Sequence, residues 1–201
     1  NINYIKGMKG VYIFLADGFE DIEAIAPCDI LRRGGVKVKT VGMNEDPLVT
    51  SSHKVTIEAD MTFKQFLKSA DLTGGSREDV MIFPGGLPGA RNLADNKALM
   101  ELLRRHYENE GSVAAICAAP ALVVAPALGE GYLTGVKMTC YDGFDTGLTA
   151  NGAEYVKQGV VEQDDIITSR GPGFAIEFGL AVLAHIKGSE TADTVAAQML
   201  I

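Results

Sequence analysis

A three-layer α/β sandwich on a mostly parallel sheet is the fold class this sequence predicts. Short runs rich in Val and Ile recur at residues 10–15, 36–41, 80–84, 113–117, 136–139 and 165–169. Most are separated by stretches with helical apolar spacing, and strands that alternate with helices pair in parallel. No fixed repeat, low-complexity tract or Pro/Ser-rich linker divides the 201 residues, so one domain over 8–201 is expected. Residues 1–7 precede the first strand pattern and are expected to form a frayed N-terminal extension.

The elements follow in order. After the first strand, Ile22, Ile25, Ala26, Ile30 and Leu31 share one helical face over 20–33, with Arg32 and Arg33 in the last turn and Gly34-Gly35 as the stop. Pro27 lacks an N–H and is expected to kink or interrupt that helix. Residues 54–60 and 63–69 read as an added strand and a short helix, and 159–162 as a hairpin partner of 165–169. Further helices are expected over 96–108, 120–128, 173–186 and 190–200. The 173–186 segment carries Phe174, Ile176, Phe178, Leu180, Val182, Leu183 and Ile186, a pattern that predicts burial nearly all round.

Composition narrows the function classes. With 26 acidic against 18 basic residues the net charge is −8, which repels phosphate backbones and anionic lipid; a small-molecule substrate is expected, with no nucleic acid and no membrane partner. No stretch reaches the roughly 18 apolar residues of a membrane span. Three cysteines at irregular spacing form neither a disulfide framework nor a metal-ligand pattern, so a reducing, cytoplasmic setting is expected and no metal. Neither a Walker pattern nor a dinucleotide fingerprint is present, so no nucleotide cofactor is expected.

Cys117 is the most informative residue. It ends the run Val113-Ala114-Ala115-Ile116 and precedes Ala118-Ala119-Pro120, where a strand meets a helix through small residues. Such a corner is expected to point the thiol outward, and the following helix N-terminus to favour its thiolate. The residue types alone leave a small buried hydrophobe as the alternative. Other strand ends gather around it, because ligands of an open parallel sheet bind beyond the strands' carboxyl ends. Gly85-Gly86 can turn adjacent amides onto an anion, with Ala118 as a further donor, or form an ordinary turn. Glu23, near the apolar helical face, is expected to be partly buried and to keep a proton that it can donate. Glu20 and Asp21 read as exposed helix-start charges.

Histidine supply argues against a Cys–His pair. His106 and His185 fall near helix C-termini, where a partly charged ring meets the dipole, and His53 lies in the polar loop Thr50-Ser51-Ser52-His53. Cys28 reads as core filler, and Cys140 as packing, with a resolving role toward Cys117 as the alternative. Arg170 can bind an anionic substrate or anchor a carboxylate.

Together these segments resemble the ThiJ/PfpI superfamily, in its DJ-one and YajL-like branch. The resemblance runs from Met8 to the C-terminus. It rests on Glu20 to Glu23 with Pro27 and Asp29, Ile30-Leu31-Arg32-Arg33-Gly34-Gly35, Pro84-Gly85-Gly86, Asn92-Leu93, Ala114-Ala115-Ile116-Cys117-Ala118 and Thr168-Ser169-Arg170-Gly171-Pro172-Gly173. It implies a flavodoxin-like fold, a homodimer, a reactive and oxidisable Cys117, and Glu23 as its protonated partner. It also implies that the amides of Gly85, Gly86 and Ala118 surround the sulfur, with Arg170 and Pro172 near the pocket or dimer interface. Tyr141 stands where many members have histidine, which counts against peptidase or amidotransferase chemistry. His53 stands where this branch often sends an arginine toward the neighbouring subunit.

The function expected from the resemblance is a cofactor-independent glyoxalase or deglycase acting on small reactive carbonyls. The alternative is a redox-responsive stress protein or chaperone. A thiazole monophosphate biosynthesis label, also carried in the family, ranks third, because no residue here specifies thiazole chemistry.

Overall fold

The computed structural model describes residues 4–201. In chain order the elements are β1 (Val11–Leu15), α1 (Asp21–Arg33), β2 (Val38–Gly42), β3 (Leu48–Thr50), β4 (Thr56–Glu58), β5 (Met61–Thr62), α2 (Phe63–Ser69), β6 (Val80–Phe83), α3 (Gly89–Ala94), α4 (Lys97–Glu108), β7 (Ser112–Ile116), α5 (Ala125–Leu128), α6 (Glu130–Leu133), β8 (Lys137–Met138), α7 (Asp145–Thr149), β9 (Glu154–Tyr155), β10 (Val160–Gln163), β11 (Ile166–Ser169), α8 (Ala175–Lys187) and α9 (Ser189–Gln198). A π-helical segment, Pro120–Val124, leads into α5.

Seven strands form the central sheet in the order β10-β11-β7-β6-β1-β2-β5. All its pairings are parallel except β10 on β11. Every residue of β6, β7 and β11 is buried, which is why these strands read as continuous apolar runs: helices cover both faces of a parallel sheet. The fold is the α/β flavodoxin-like sandwich. From β1 the chain moves outward to β2 and β5, then returns to β6 on the other side of β1. That reversal opens a crevice at the carboxyl ends of β1 and β6, with β7 alongside.

Several elements depart from the sequence reading. The 136–139 run lies outside the central sheet, where β8 pairs with β9 in a separate ladder. The antiparallel β10 already occupies the flank of β11, and side chains take the amides of the run: Gln163 Oε1 accepts from Lys137 N–H and Thr168 Oγ1 from Thr139 N–H. The 54–60 strand shrinks to β4, which pairs with β3, while β5 forms the sheet edge. Pro27 does not break α1. Helix α8 packs closely on this part of α1, since Gly179 lacks a Cβ that would otherwise sit 3.1 Å from Pro27 Cα.

The 120–128 helix begins in π-helical form, and α8 is not enclosed all round, since Ile176 is exposed, as are Ile22 and Ile25 of α1, the helix it packs against. Residues 1–3 lie outside the described residues, and the rest of the 1–7 extension is docked rather than frayed. Lys6 N–H donates to Leu72 O, Gly7 bridges to Thr73, and Ile5 O accepts from Arg105.

Candidate active site

Cys117 directly follows β7 and adopts φ 66°, the left-handed region that costs a non-glycine residue roughly 1–2 kcal/mol. Two main-chain bonds hold it there: Cys117 N–H donates to Ser169 O at 2.9 Å, and Cys117 O accepts from Tyr141 N–H at 2.8 Å. The strained corner foreseen from the small neighbours is present. The outward thiol is not, since Cys117 is only 9% exposed.

Glu23 reaches the same point from the first turn of α1. Its N–H donates to the side chain of Glu20, the N-cap. The turn is sewn to the loop after β6 in both directions: Glu20 N–H donates to Gly85 O at 2.9 Å and Gly85 N–H to Glu23 Oε2 at 2.8 Å. Glu23 is fully buried. Its Oε1 has no hydrogen-bond partner, and the carboxyl interacts with the Cys117 thiol beside it.

Only glycine fits at position 85, where a Cβ would stand 2.6 Å from Cys117 Cβ and 2.7 Å from Glu23 Oε2. Gly86 has φ 88° and turns its amide toward the sulfur together with that of Ala118. The Gly85 amide is spent on Glu23, which corrects its expected place in an anion nest around the sulfur.

Electrostatics decides how the pair shares its proton. Burial pushes the Glu23 carboxyl up to about 7, partly offset by its bond to Cys117. Burial, and then the charge of Glu23, push the Cys117 thiol up to about 12, against the pull of the Gly86 and Ala118 amides. A free-standing thiolate favoured by the helix start is therefore not what the fold provides. Above a pH of about 7 the pair holds one proton and one negative charge, because two buried anions in contact cannot both form.

Tyr141, Arg170 and Pro172 lie in an adjoining cleft of about 270 Å³, with Asp142 and Phe174 among its walls. Arg170 is committed to a carboxylate of the chain, with Nε and Nη2 each 2.7 Å from Asp142, whose charge is also met by Lys157 at 3.0 Å. These contacts hold the Asp142 carboxyl far below the usual carboxylate range.

His53 is not brought to Cys117 within the chain. Its Nδ1 lies 2.7 Å from Asp21 Oδ2, and Ser51 Oγ donates to the other Asp21 oxygen. Glu20, Asp21 and His53 place one potential ligand atom each within 4.8 Å of one another; the structure already uses them as a helix cap and an Asp–His contact. His106 and His185 lie near the opposite end of the sheet. His106 Nδ1 accepts from Met8 N–H and Nε2 faces the carbonyls of Asp79 and Ser112. Burial depresses its pKa, so the ring is neutral, which corrects the partly charged ring expected at this helix end. His185 sits between Glu162 and Ser112.

Cys28 is buried as core filler. Cys140 is fully buried, and burial pushes its thiol up to about 12. Sequence reasoning missed Asp142, since an acidic residue after Tyr141 carries no pattern that names its partner 28 positions away.

Comparisons with known proteins agree with this geometry. The DJ-1/PfpI family model matches residues 9–185. The Drosophila melanogaster protein dj-1beta is 33% identical over 193 residues, covering 96% of this chain and 97% of that one. A Caenorhabditis elegans glutathione-independent glyoxalase, DJR-1.2, is 32% identical, covering 87% of each. The solved structure of oxidized Toxoplasma gondii DJ-1 superposes with a TM-score of 0.83 at 31% identity, covering 96% of this chain and 98% of that one.

Proposed function

Because the chain belongs to the DJ-1/PfpI family, we propose that it is a cofactor-independent cysteine enzyme of the glyoxalase or deglycase type, acting on small reactive carbonyls or their adducts. The observation that carries this reading is the buried Cys117 thiol beside the buried carboxyl of Glu23, under the amides of Gly86 and Ala118. Each of the three histidines is engaged elsewhere. The glyoxalase named among the relatives supports the same chemistry.

With a 2-oxoaldehyde, the sulfur forms the new S–C bond while the carbonyl π pair moves onto oxygen. Glu23, poised near neutrality, takes the thiol proton and returns it to that oxygen, giving a hemithioacetal. The Gly86 and Ala118 amides, which face the sulfur, are the donors we assign to the developing oxyanion. Moving the C1 proton to C2 through an enediol, with Glu23 as carrier, gives a thioester. Water then releases a 2-hydroxy acid and restores the thiol, with no net redox change. Tyr141, half exposed at the adjoining cleft, is a hydrogen-bond donor there rather than a base.

The assembly we infer is a homodimer formed through the exposed Ile22, Ile25 and Ile176 of the neighbouring helices α1 and α8, with His53, 69% exposed in its side chain, available to the neighbouring subunit. The net charge of −8 supports small-molecule rather than nucleic-acid partners, and three free cysteines support a cytoplasmic setting. No helix among the described residues is long and apolar enough to cross a membrane.

The test is methylglyoxal turnover by purified protein against Cys117→Ala and Glu23→Gln. Loss in both supports the reading, and full turnover by Cys117→Ala overturns it. A redox-responsive role for the same cysteine is the second reading, favoured by the oxidized state of the Toxoplasma relative. Graded peroxide followed by mass spectrometry separates it: preferential oxidation of Cys117 supports sensing, and equal modification of all three thiols counts against it.

A further inference from the structure

A closed ring of bonds surrounds the reactive corner. Cys117 N–H donates to Ser169 O, and the next residue, Arg170, grips Asp142 with two parallel bonds of 2.7 Å. Asp142 follows Tyr141, whose N–H returns to Cys117 O at 2.8 Å. The two backbone groups of Cys117 are thus held by two segments, and the one side-chain link in the ring is the Arg170–Asp142 pair. Lys157 touches the same carboxylate at 3.0 Å from outside the ring.

We propose that Arg170 and Asp142 are positioning residues that lock the Cys117 corner in its left-handed conformation, and so keep the sulfur under the Gly86 and Ala118 amides. The physical argument is that a strained backbone persists only where its surroundings over-determine it. A two-pronged guanidinium–carboxylate contact fixes distance and orientation together, which a single ammonium contact does not. Arg170 therefore acts through the backbone of Cys117, with both prongs spent inside the chain, and not by seizing an anionic substrate. The inference rests on Cys117 being the reacting group, and it is tested without any carbonyl substrate.

The readout is the rate of Cys117 alkylation by iodoacetamide at fixed neutral pH, followed by peptide mass spectrometry, with circular dichroism confirming the fold. Arg170→Met and Asp142→Asn are expected to slow alkylation about tenfold, the scale of a modest misplacement of a reacting atom. The charge-reversed double variant, Asp142→Arg with Arg170→Asp, is expected to recover most of the rate. Lys157→Met removes the same charge without opening the ring and is expected to stay within about twofold of wild type, as exposed ion pairs usually do.

A wild-type rate in Arg170→Met, or equal slowing in Lys157→Met, overturns the proposal. If Arg170→Met does not fold, Arg170→Lys replaces it, since it keeps the charge and gives up the second prong. Slowing then supports the lock, and an unchanged rate counts against it. Absence of carbonyl turnover in the wild type would sink the enzymatic reading while leaving the alkylation result to decide the ring.

Discussion

Gly85 donates its amide to Oε2 of Glu23 over 2.8 Å, and that bond holds the carboxyl beside the Cys117 thiol. The other oxygen, Oε1, is buried and has no hydrogen-bond partner. The loop after β6 thus orients the acid, and the strained corner after β7 delivers the sulfur to it.

Turnover should depend on one ionisation near neutrality. Glu23 titrates at about 7 and must be ionised to take the thiol proton, so kcat/KM for methylglyoxal is expected to rise with pH through that value. In Glu23→Gln the rise should vanish and the rate should fall by about 10² or more. Steady-state kinetics from pH 5.5 to 9 check this.

Stability should carry the opposite sign. A carboxyl raised from 4.5 to about 7 keeps its proton longer in the folded than in the unfolded chain. Its favourable contribution is therefore complete below the unfolded value and is lost as pH rises through about 7. Glu23→Gln is expected to be more stable than wild type at pH 8, by on the order of 1–3 kcal/mol, and to lose that advantage near pH 5. Urea unfolding at the two pH values reads the difference.

His106 pushes the other way. Its folded pKa lies below 6.5 because of burial, so the unfolded chain binds the extra proton first. The stability it contributes is complete above the unfolded value and is lost as pH falls below 6.5. Protonation would also cost the bond from Met8 N–H to Nδ1. His106→Gln should be less stable than wild type at pH 7.5, with the gap narrowing toward pH 5.5, as thermal unfolding of both proteins will show.

Gly85→Ala should damage both halves of the pair. The added methyl would meet Cys117 Cβ and Glu23 Oε2 at under 3 Å, and relief requires backbone movement costing about 1–3 kcal/mol. Reduced thermal stability and loss of methylglyoxal turnover are expected together.

Ile25→Glu places a charge on the exposed face that α1 shares with α8. Sedimentation velocity should show the wild type as a dimer and the variant as a monomer with its circular dichroism unchanged.

What the sequence determined by itself follows from local pattern. Apolar runs alternating with helical spacing specified the parallel sheet, because strands buried on both faces must be apolar throughout. The small residues around Cys117 marked the strained corner, and the place of Glu23 near the apolar helical face marked a carboxyl that burial could keep protonated. The tertiary structure decided what pattern cannot encode. The Gly85 amide went to Glu23 rather than the sulfur, α1 ran on through Pro27 with Gly179 packed against it, and the 136–139 run left the sheet because β10 occupies its flank. Arg170 found Asp142 rather than a substrate. Each outcome depends on which groups distant in the chain share a few ångströms of buried space, and the thiol's high pKa follows from the same enclosure, because desolvation outweighs the amides that face the sulfur.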